Sequence, residues 1–378
     1  MIFDNVSLTT EQFLADYWQK KPLLIRQALP GFTPELDSND IAGLACDELA
    51  ESRLITGSFP EHDWQLRYGP FTDADFSNFP ETHWTLLVQD VEKHYPPLQS
   101  LMQEFSFLPR WRIDDLMVSV AGPRGSVGPH VDQYDVFLLQ AEGHRRWEIA
   151  EAYESELLPG CDLNVLRRFS SEQEWLLEPG DILYLPPGVA HHGVAQDTCM
   201  TWSIGMRAPS RADLFLALGE WLAETEDEGG RYCDPELGAA ARVGEVEGSA
   251  LIRFGESLRP FGPGDSQFTS FLGAFLSRYR LAHEPAPPAS LLKPAVLLQA
   301  LERGKILRHN PWTRILWIES GERARVFAAG TEYSCSVEFA EKLCDPDQLG
   351  QLGPRGAEME TGLLCELLNR GHLYLERL

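Results

Sequence analysis

The chain has 378 residues, 43% hydrophobic and 10% aromatic, with a formal net charge of −25. That length exceeds one ordinary core and predicts two or three domains; the apolar and aromatic content excludes a disordered chain, and no apolar run is long enough to span a membrane. The acidic balance repels nucleic acid and suits a basic protein partner, while seven scattered cysteines without a Cys-x-x-Cys pair fit a reducing compartment.

The N-terminus, Met1-Ile-Phe-Asp-Asn-Val-Ser, lacks the basic-then-apolar order of a signal peptide, so a cytoplasmic location is expected. Thr9 and Gln12 form a capping-box signature ahead of Phe13, Leu14 and Trp18, which predicts a helix that Lys21-Pro22 ends. Leu23–Arg26 then reads as a strand, Ser38–Ala50 as a helix, and Ser52–Ile55, Trp64–Tyr68 and Trp84–Gln89 as strands. Val91–Phe105 reads as one helix. His62, His83 and His94 have no ligand-type company and read as structural or surface residues.

Trp111–Ala121 begins the central strands, with Met117, Ser119 and Ala121 on one face. Val131–Gln140 reads as a single strand, so His130 and Asp132, two apart, are expected to project together. Fifteen residues after His130, Arg145 alternates with Trp147 and Ile149 on one face of the return strand. A buried arginine needs an anionic partner, which is either a protein carboxylate or a bound one. Glu178-Pro-Gly-Asp-Ile-Leu-Tyr-Leu-Pro-Pro-Gly-Val-Ala-His191 reads as a turn, a short strand, a second turn and a histidine. His130, Asp132 and His191 would together make the two-imidazole, one-carboxylate set that leaves coordination positions open on a divalent ion. Cys199–Gly205 reads as a closing strand whose Thr201 and Ser203 are candidates to line the pocket.

From Arg211 to Ala282 the pattern is helical: Ala212–Thr225, Gly248–Leu258 and Gln267–Leu281, with an acidic hinge at 225–230. Phe215, Leu218, Trp221 and Leu222 recur at helical spacing, as expected of a bundle that packs either on a partner copy or on its own chain. His283-Glu-Pro-Ala-Pro-Pro288 is a stiff linker. Beyond it come a helix at Leu291–Gln299, strands at Leu307–Arg308, Ile315–Ile318 and Arg325–Phe327, helices at Val337–Leu343 and Gly362–Asn369, and a last strand at His372–Leu375. This is a winged-helix-like plan without a basic stripe, so direct nucleic-acid binding is not expected.

Five stretches carry a family resemblance: Asp16–Arg26, Trp111–Ser119, Val127–Phe137, Leu177–His191 and Ser203–Pro209. They resemble the JmjC-type, cupin-fold 2-oxoglutarate oxygenases, and more narrowly the bacterial ribosomal oxygenases that hydroxylate an arginine of a large-subunit (50S) ribosomal protein. The match is close over the first 210 residues and looser in the last third. It implies a mixed β and α fold: a double-stranded β-helix (cupin/JmjC) core at 96–210, an N-terminal α/β elaboration at 1–95, a helical dimerisation segment at 211–283 and a winged-helix-like domain at 289–378. It also implies Fe(II) on His130, Asp132 and His191, 2-oxoglutarate as cosubstrate with its far carboxylate on Arg145, a cosubstrate contact from Ser119, molecular oxygen, and a homodimer. The products would be succinate, CO2 and a hydroxylated arginine. The family motif selects His191 over its neighbour His192, which stands where an acidic residue is common and is expected at the rim or just behind the ligands. A JmjC histidine hydroxylase or lysine demethylase, a non-oxidative metal-binding cupin and a ligand-sensing DNA binder are the alternative readings.

Overall fold

The computed structural model describes residues 1–225, 232–235, 246–257, 265–358 and 360–377, in two units, Met1–Ala208 and Pro209–Leu378. In the first unit the predicted capping box opens α1 (Thr10–Asp16): Thr9 accepts from the N–H of Gln12, and Gln12 reaches back to the N–H of Thr9. Asp37 and Asp40 repeat the device at α2 (Ser38–Leu44). This helix is shorter than the expected Ser38–Ala50, and the Asp47 carboxylate accepts from the Leu49 N–H in the turn that follows. The short helix α3 (Asp73–Phe76) was not expected. The helix expected over Val91–Phe105 is broken into α4 (Val91–His94), a 3-10 turn and α5 (Gln99–Gln103). Pro96 and Pro97 are the cause, because proline lacks the donor and pushes the preceding residue, Tyr95, out of the helical region.

Twelve strands follow one another in this unit: β1 (Leu23–Ile25), β2 (Ser52–Thr56), β3 (Gln65–Tyr68), β4 (Trp84–Val88), β5 (Ile113–Ala121), β6 (His130–Val131), β7 (Asp135–Glu142), β8 (Arg145–Ala150), β9 (Gln173–Leu177), β10 (Ile182–Leu185), β11 (Ala190–Ala195) and β12 (Cys199–Met206). They make an eight-stranded sheet, β1-β10-β7-β12-β5-β4-β2-β3, and a four-stranded sheet, β6-β11-β8-β9. Every pairing is antiparallel. Strict alternation assigns the two faces of the larger sheet. Phe137 and Leu139 join Phe13, Leu101, Phe105 and Tyr184 in the outer core beneath the N-terminal helices. Val136 and Leu138 point the other way and pack with Trp147, Ile149 and Leu177 of the smaller sheet. The site described below lies on this inner side.

The expectation of one strand over Val131–Gln140 is corrected. The chain belongs to the smaller sheet at β6, bends through Asp132–Tyr134, and enters the larger sheet at β7. Asp135, wholly buried at the end of that bend, explains the break. Its carboxylate accepts from the Tyr184 hydroxyl (2.6 Å) and Gln19 Nε2 (2.9 Å), and pairs with Arg112 at 2.7 Å. A buried carboxylate met by three donors fixes the backbone that carries it.

The second unit has its own core. Leu297 and Leu301 of α9 (Pro294–Glu302), Phe339 and Leu343 of α10 (Val337–Cys344), Leu349 of α11 (Pro346–Gly350), Ala357 of α12 (Pro354–Glu358) and Leu364, Leu367 and Leu368 of α13 (Thr361–Asn369) enclose it. β13 (Lys305–His309) pairs with β17 (Leu373–Arg377), and β14 (Ile315–Ser320), β15 (Arg323–Ala328) and β16 (Thr331–Ser336) form a meander. The sequence reading missed β16, because only Cys335 along it is buried and no apolar face marks it. Ahead of these lie α6 (Arg211–Thr225), α7 (Gly248–Ser257) and α8 (Ser266–Arg278). Apart from Thr225, the acidic hinge expected at 225–230 lies outside the described residues, as does Leu258. No helix among the described residues is long and apolar enough to cross a membrane.

Two neighbouring buried carboxylates make stability depend on pH, Glu92 and Asp115, the latter's pKa raised to about 7 by burial and by Asp114 and Asp90. Glu92 on α4 is enclosed beside Asp90, Lys93 and Asp115 and accepts from the Leu116 N–H at 2.9 Å. Burial, opposed by Lys93 and reinforced by Asp115 and Asp90, raises its pKa from 4.5 to about 8. The folded protein therefore keeps a proton that the unfolded chain releases, and stability falls as pH rises through this range. Glu92→Gln should remove part of that fall and gain on the order of 1–2 kcal/mol at pH 8 over wild type, read by urea unfolding at several pH values.

Candidate metal centre and anion pocket

β6 and β11 pair so that His130 and His191 are direct cross-strand partners. Opposed residues of an antiparallel pair share a face, and the two imidazole rings lie with centroids 4.2 Å apart. Asp132 sits beyond the end of β6, and the bend brings its carboxylate back to both rings. Its Oδ2 is 3.8 Å from His130 Nε2 and 3.6 Å from His191 Nε2. The loop before β11 locks this geometry from the other side. Gly188 closes the Pro-Pro-Gly turn at φ +83°, a conformation that favours glycine, and its N–H donates to the Asp132 carbonyl at 2.8 Å.

The donor set suits a divalent metal ion. One ligand atom from each of His130, Asp132 and His191 lies within 4.8 Å of the others. His130 Nδ1 bonds the Gly128 carbonyl at 2.9 Å and His191 Nδ1 bonds the Val189 carbonyl at 3.0 Å. Each Nδ1 therefore carries the proton, and each Nε2 lone pair is left for a metal. Burial, with the nearby His130, lowers the His191 pKa to about 4, so this imidazole is held neutral, as a ligand must be. Two imidazoles and a carboxylate on one side of an ion are the ligand type of non-haem iron sites.

His192 points the other way, as expected of a neighbour in a strand. Its Nδ1 meets Glu148 Oε2 at 2.8 Å, and its ring is bracketed by Phe59 and Phe169. Arg146, on the same outer face, pairs with Glu148 at 2.5 Å and with Glu174 at 3.3 Å. His62, His83 and His94 take no part in the metal-type cluster.

Arg145 faces inward and is 3% exposed, yet no carboxylate among the described residues pairs with it, and its Nε and Nη2 have no hydrogen-bond partner. Burying a guanidinium without an anion is costly, so the internal salt bridge left open by the sequence is not what occupies it. The residues fit a bound carboxylate: a free guanidinium fork lies on the strand that pairs with β11, where Arg145 stands opposite the small Ala195, which clusters with Ala121 and Cys199. Ser119 lies on the larger sheet, in a cross-strand row Leu87, Ser119, Thr201, Gln140. Its hydroxyl donates to the Thr201 carbonyl at 3.2 Å, and Thr201 Oγ1 donates to Gln140 Oε1 at 3.1 Å.

Two features had no counterpart in the sequence reading. The Arg207 guanidinium lies 3.9 Å from the centre of the Tyr134 ring and pairs with Asp114 at 2.6 Å, while the Tyr134 hydroxyl hydrogen-bonds Asp132. Arg207 and Asp114 stand inside stretches that carry the family resemblance, which was the available signal. The second is Gly193 on β11, opposite Trp147, where a Cβ would come within 2.7 Å of Trp147 ring atoms.

A double-stranded β-helix with this ligand set and a free arginine beside it defines the class of cupin-type metal oxygenases. Comparison with known proteins narrows it. A family model described as JmjC domain matches residues 100–214, and one described as ROXA-like winged helix matches residues 261–374. The ribosomal protein uL16 3-hydroxylase of Escherichia coli is 33% identical over 98% of this chain and 99% of its own length. A probable ribosomal oxygenase of Haemophilus influenzae is 42% identical over 58% of this chain and 55% of its own. The structure of YcfD, a ribosomal oxygenase from E. coli in complex with cobalt and 2-oxoglutarate, superposes with a TM-score of 0.83 at 31% identity, covering 98% of this chain and 99% of that one. The chain belongs to the family of JmjC-domain ribosomal oxygenases.

Gly193→Ala should destabilise the first unit by about 1–3 kcal/mol, since the added methyl must displace the Trp147 ring. Thermal unfolding and near-UV circular dichroism check this.

Proposed function

We propose that this protein is a cytoplasmic Fe(II)- and 2-oxoglutarate-dependent hydroxylase of an arginine side chain on the large-subunit ribosomal protein uL16, releasing succinate and CO2. The observation that carries the reading is a buried arginine, without a protein anion among the described residues, beside a His-Asp-His set. The uL16 hydroxylase from E. coli, similar along nearly the whole chain, supports the substrate.

His130, Asp132 and His191 would hold the metal through two imidazole nitrogens and one carboxylate oxygen. Fe(II) with 2-oxoglutarate and oxygen supplies the power to hydroxylate an unactivated C–H bond. Arg145 would receive the far carboxylate of the cosubstrate in its planar fork, and Ser119 is assigned a further cosubstrate contact. The apolar lining, Leu138, Ile149, Leu177 and Leu185, keeps water from this space. The formal charge of −25 draws in a basic ribosomal protein.

We divide the chain as 1–95, 96–210, 211–283 and 289–378, with catalysis in the second part and dimerisation in the third. Phe215 and Leu216 on α6 and Leu251, Ile252 and Phe254 on α7 are exposed, an apolar surface of the kind a second copy would cover. The winged-helix-like part is assigned a protein contact rather than DNA, for want of a basic stripe.

The test is incubation with Fe(II), 2-oxoglutarate and uL16 under air, reading succinate and the product mass. Succinate with one oxygen added on an arginine is expected. Oxygen on a histidine or loss of methyl from lysine would select the alternative JmjC activities, and no succinate from metal-loaded protein would refute the oxygenase. His130→Ala and Asp132→Ala should each lose metal and turnover while keeping the fold, and His192→Ala should be mild. Arg145→Ala should raise the 2-oxoglutarate KM by roughly 10- to 100-fold, as expected for loss of a charge-assisted bidentate contact.

A further inference from the structure

Arg145 does not stand alone on its strand. Trp147, two residues on and on the same inner face, is 4% exposed, and its indole N–H has no hydrogen-bond partner among the described residues. Buried donors are rarely left so, and each instance calls for an explanation. The position of the ring suggests one. Its centre is 5.8 Å from the Arg145 guanidinium carbon and 5.8 Å from the centre of the His191 ring, so the indole neighbours both the anion pocket and a metal ligand. Its orientation is set by Gly193, because the ring atoms nearest that glycine are Cη2, Cζ3 and Cε3. These belong to the six-membered edge, so the edge carrying Nε1 is turned away from β11.

The larger sheet offers no equivalent in the facing row. The Ser119 hydroxyl is spent on the Thr201 carbonyl, the Thr201 hydroxyl on Gln140, and the Gln140 amide on the Glu142 carbonyl at 2.8 Å. Nε and Nη2 of Arg145 and Nε1 of Trp147 are thus three unused donors within one two-residue step of β8. A carboxylate accepts at both oxygens, with about four lone-pair sites, so a guanidinium fork leaves capacity for a further donor.

We propose that Trp147 is a second cosubstrate-binding residue, its indole N–H donating to the carboxylate that Arg145 anchors. The inference rests on the reading of the pocket as a 2-oxoglutarate site. It gives the far carboxylate three donors from β8, beside the Ser119 contact, and gives Trp147 a part in selecting diacids over monoacids.

The experiment is calorimetric titration of the full-length, Co(II)-loaded protein without oxygen, using 2-oxoglutarate, succinate and oxalate as separate probes. Trp147→Phe keeps an aromatic ring and removes the donor. It should weaken 2-oxoglutarate and succinate by about 10-fold or more, while leaving oxalate, which carries no far carboxylate, and Co(II) itself unchanged. Benzothienylalanine placed at position 147 gives the same ring shape without N–H and should reproduce the result if the phenylalanine variant folds poorly. Unchanged succinate and 2-oxoglutarate binding would overturn the inference, as would equal weakening of all three probes and of Co(II), which would mean the ring only props His191. The parent reading is judged separately: wild type that binds no 2-oxoglutarate, or Arg145→Ala that binds it normally, would fail that reading instead.

Discussion

The site depends on one crossing of the chain from sheet to sheet. Two imidazoles on neighbouring strands can share a face by pairing alone, but the third ligand must approach from a different direction if all three are to meet one ion. The bend at Asp132–Tyr134 supplies that direction, and it is held at both ends. Asp135 is tied to Gln19, Arg112 and Tyr184 on the side of the larger sheet. The Asp132 carbonyl receives the Gly188 N–H on the side of the smaller one. The N-terminal elaboration is therefore more than a cover. Through Gln19 and through the aromatic contacts of Phe13 and Trp18 with Tyr184, at 4.9 and 5.8 Å, it clamps the far end of the bend that carries Asp132.

The same crossing separates two kinds of interior. The outer core, with Phe13, Phe105, Phe137 and Tyr184, is apolar and close-packed and supplies the burial that holds the unit together. The inner space between the sheets mixes Leu138, Ile149 and Leu177 with Arg145, Ser119, Thr201 and Gln140. A core made only for stability would not keep a guanidinium without an anion. The outer core offsets the cost of the unsatisfied inner one, which is the expected division between scaffold and site.

What was legible in the sequence was whatever strand periodicity decides locally. Arg145 alternating with Trp147 and Ile149 gave its inward direction, and the succession His191-His192 gave two histidines facing opposite ways. Pro96-Pro97 carried a local signal too, and the helix expected across it should have been broken there. The bend after Val131 was not legible, because the partners that fix it are far along the chain: Gln19 is 116 residues from Asp135, Tyr184 is 49 and Arg112 is 23. His130 and Asp132 do lie together, but through a bend and not through strand alternation. β16 escaped for a different reason, since a strand with one buried residue has no face to read.

The direction of the inner hydrogen bonds bears on how an anion is recognised. Ser119 and Thr201 each donate their proton within the larger sheet, so in this arrangement each presents an oxygen, and not a hydrogen, to the space between the sheets. For Ser119 to serve a carboxylate its hydroxyl must rotate away from the Thr201 carbonyl, exchanging one neutral bond for a charge-assisted one. That exchange is favourable where the carboxylate is already fixed by Arg145, and unfavourable otherwise, since it leaves a buried carbonyl short of a donor. On the proposed assignment the arginine would act first and the serine second, and the pocket would remain satisfied on the larger sheet until an anion had arrived on the smaller one.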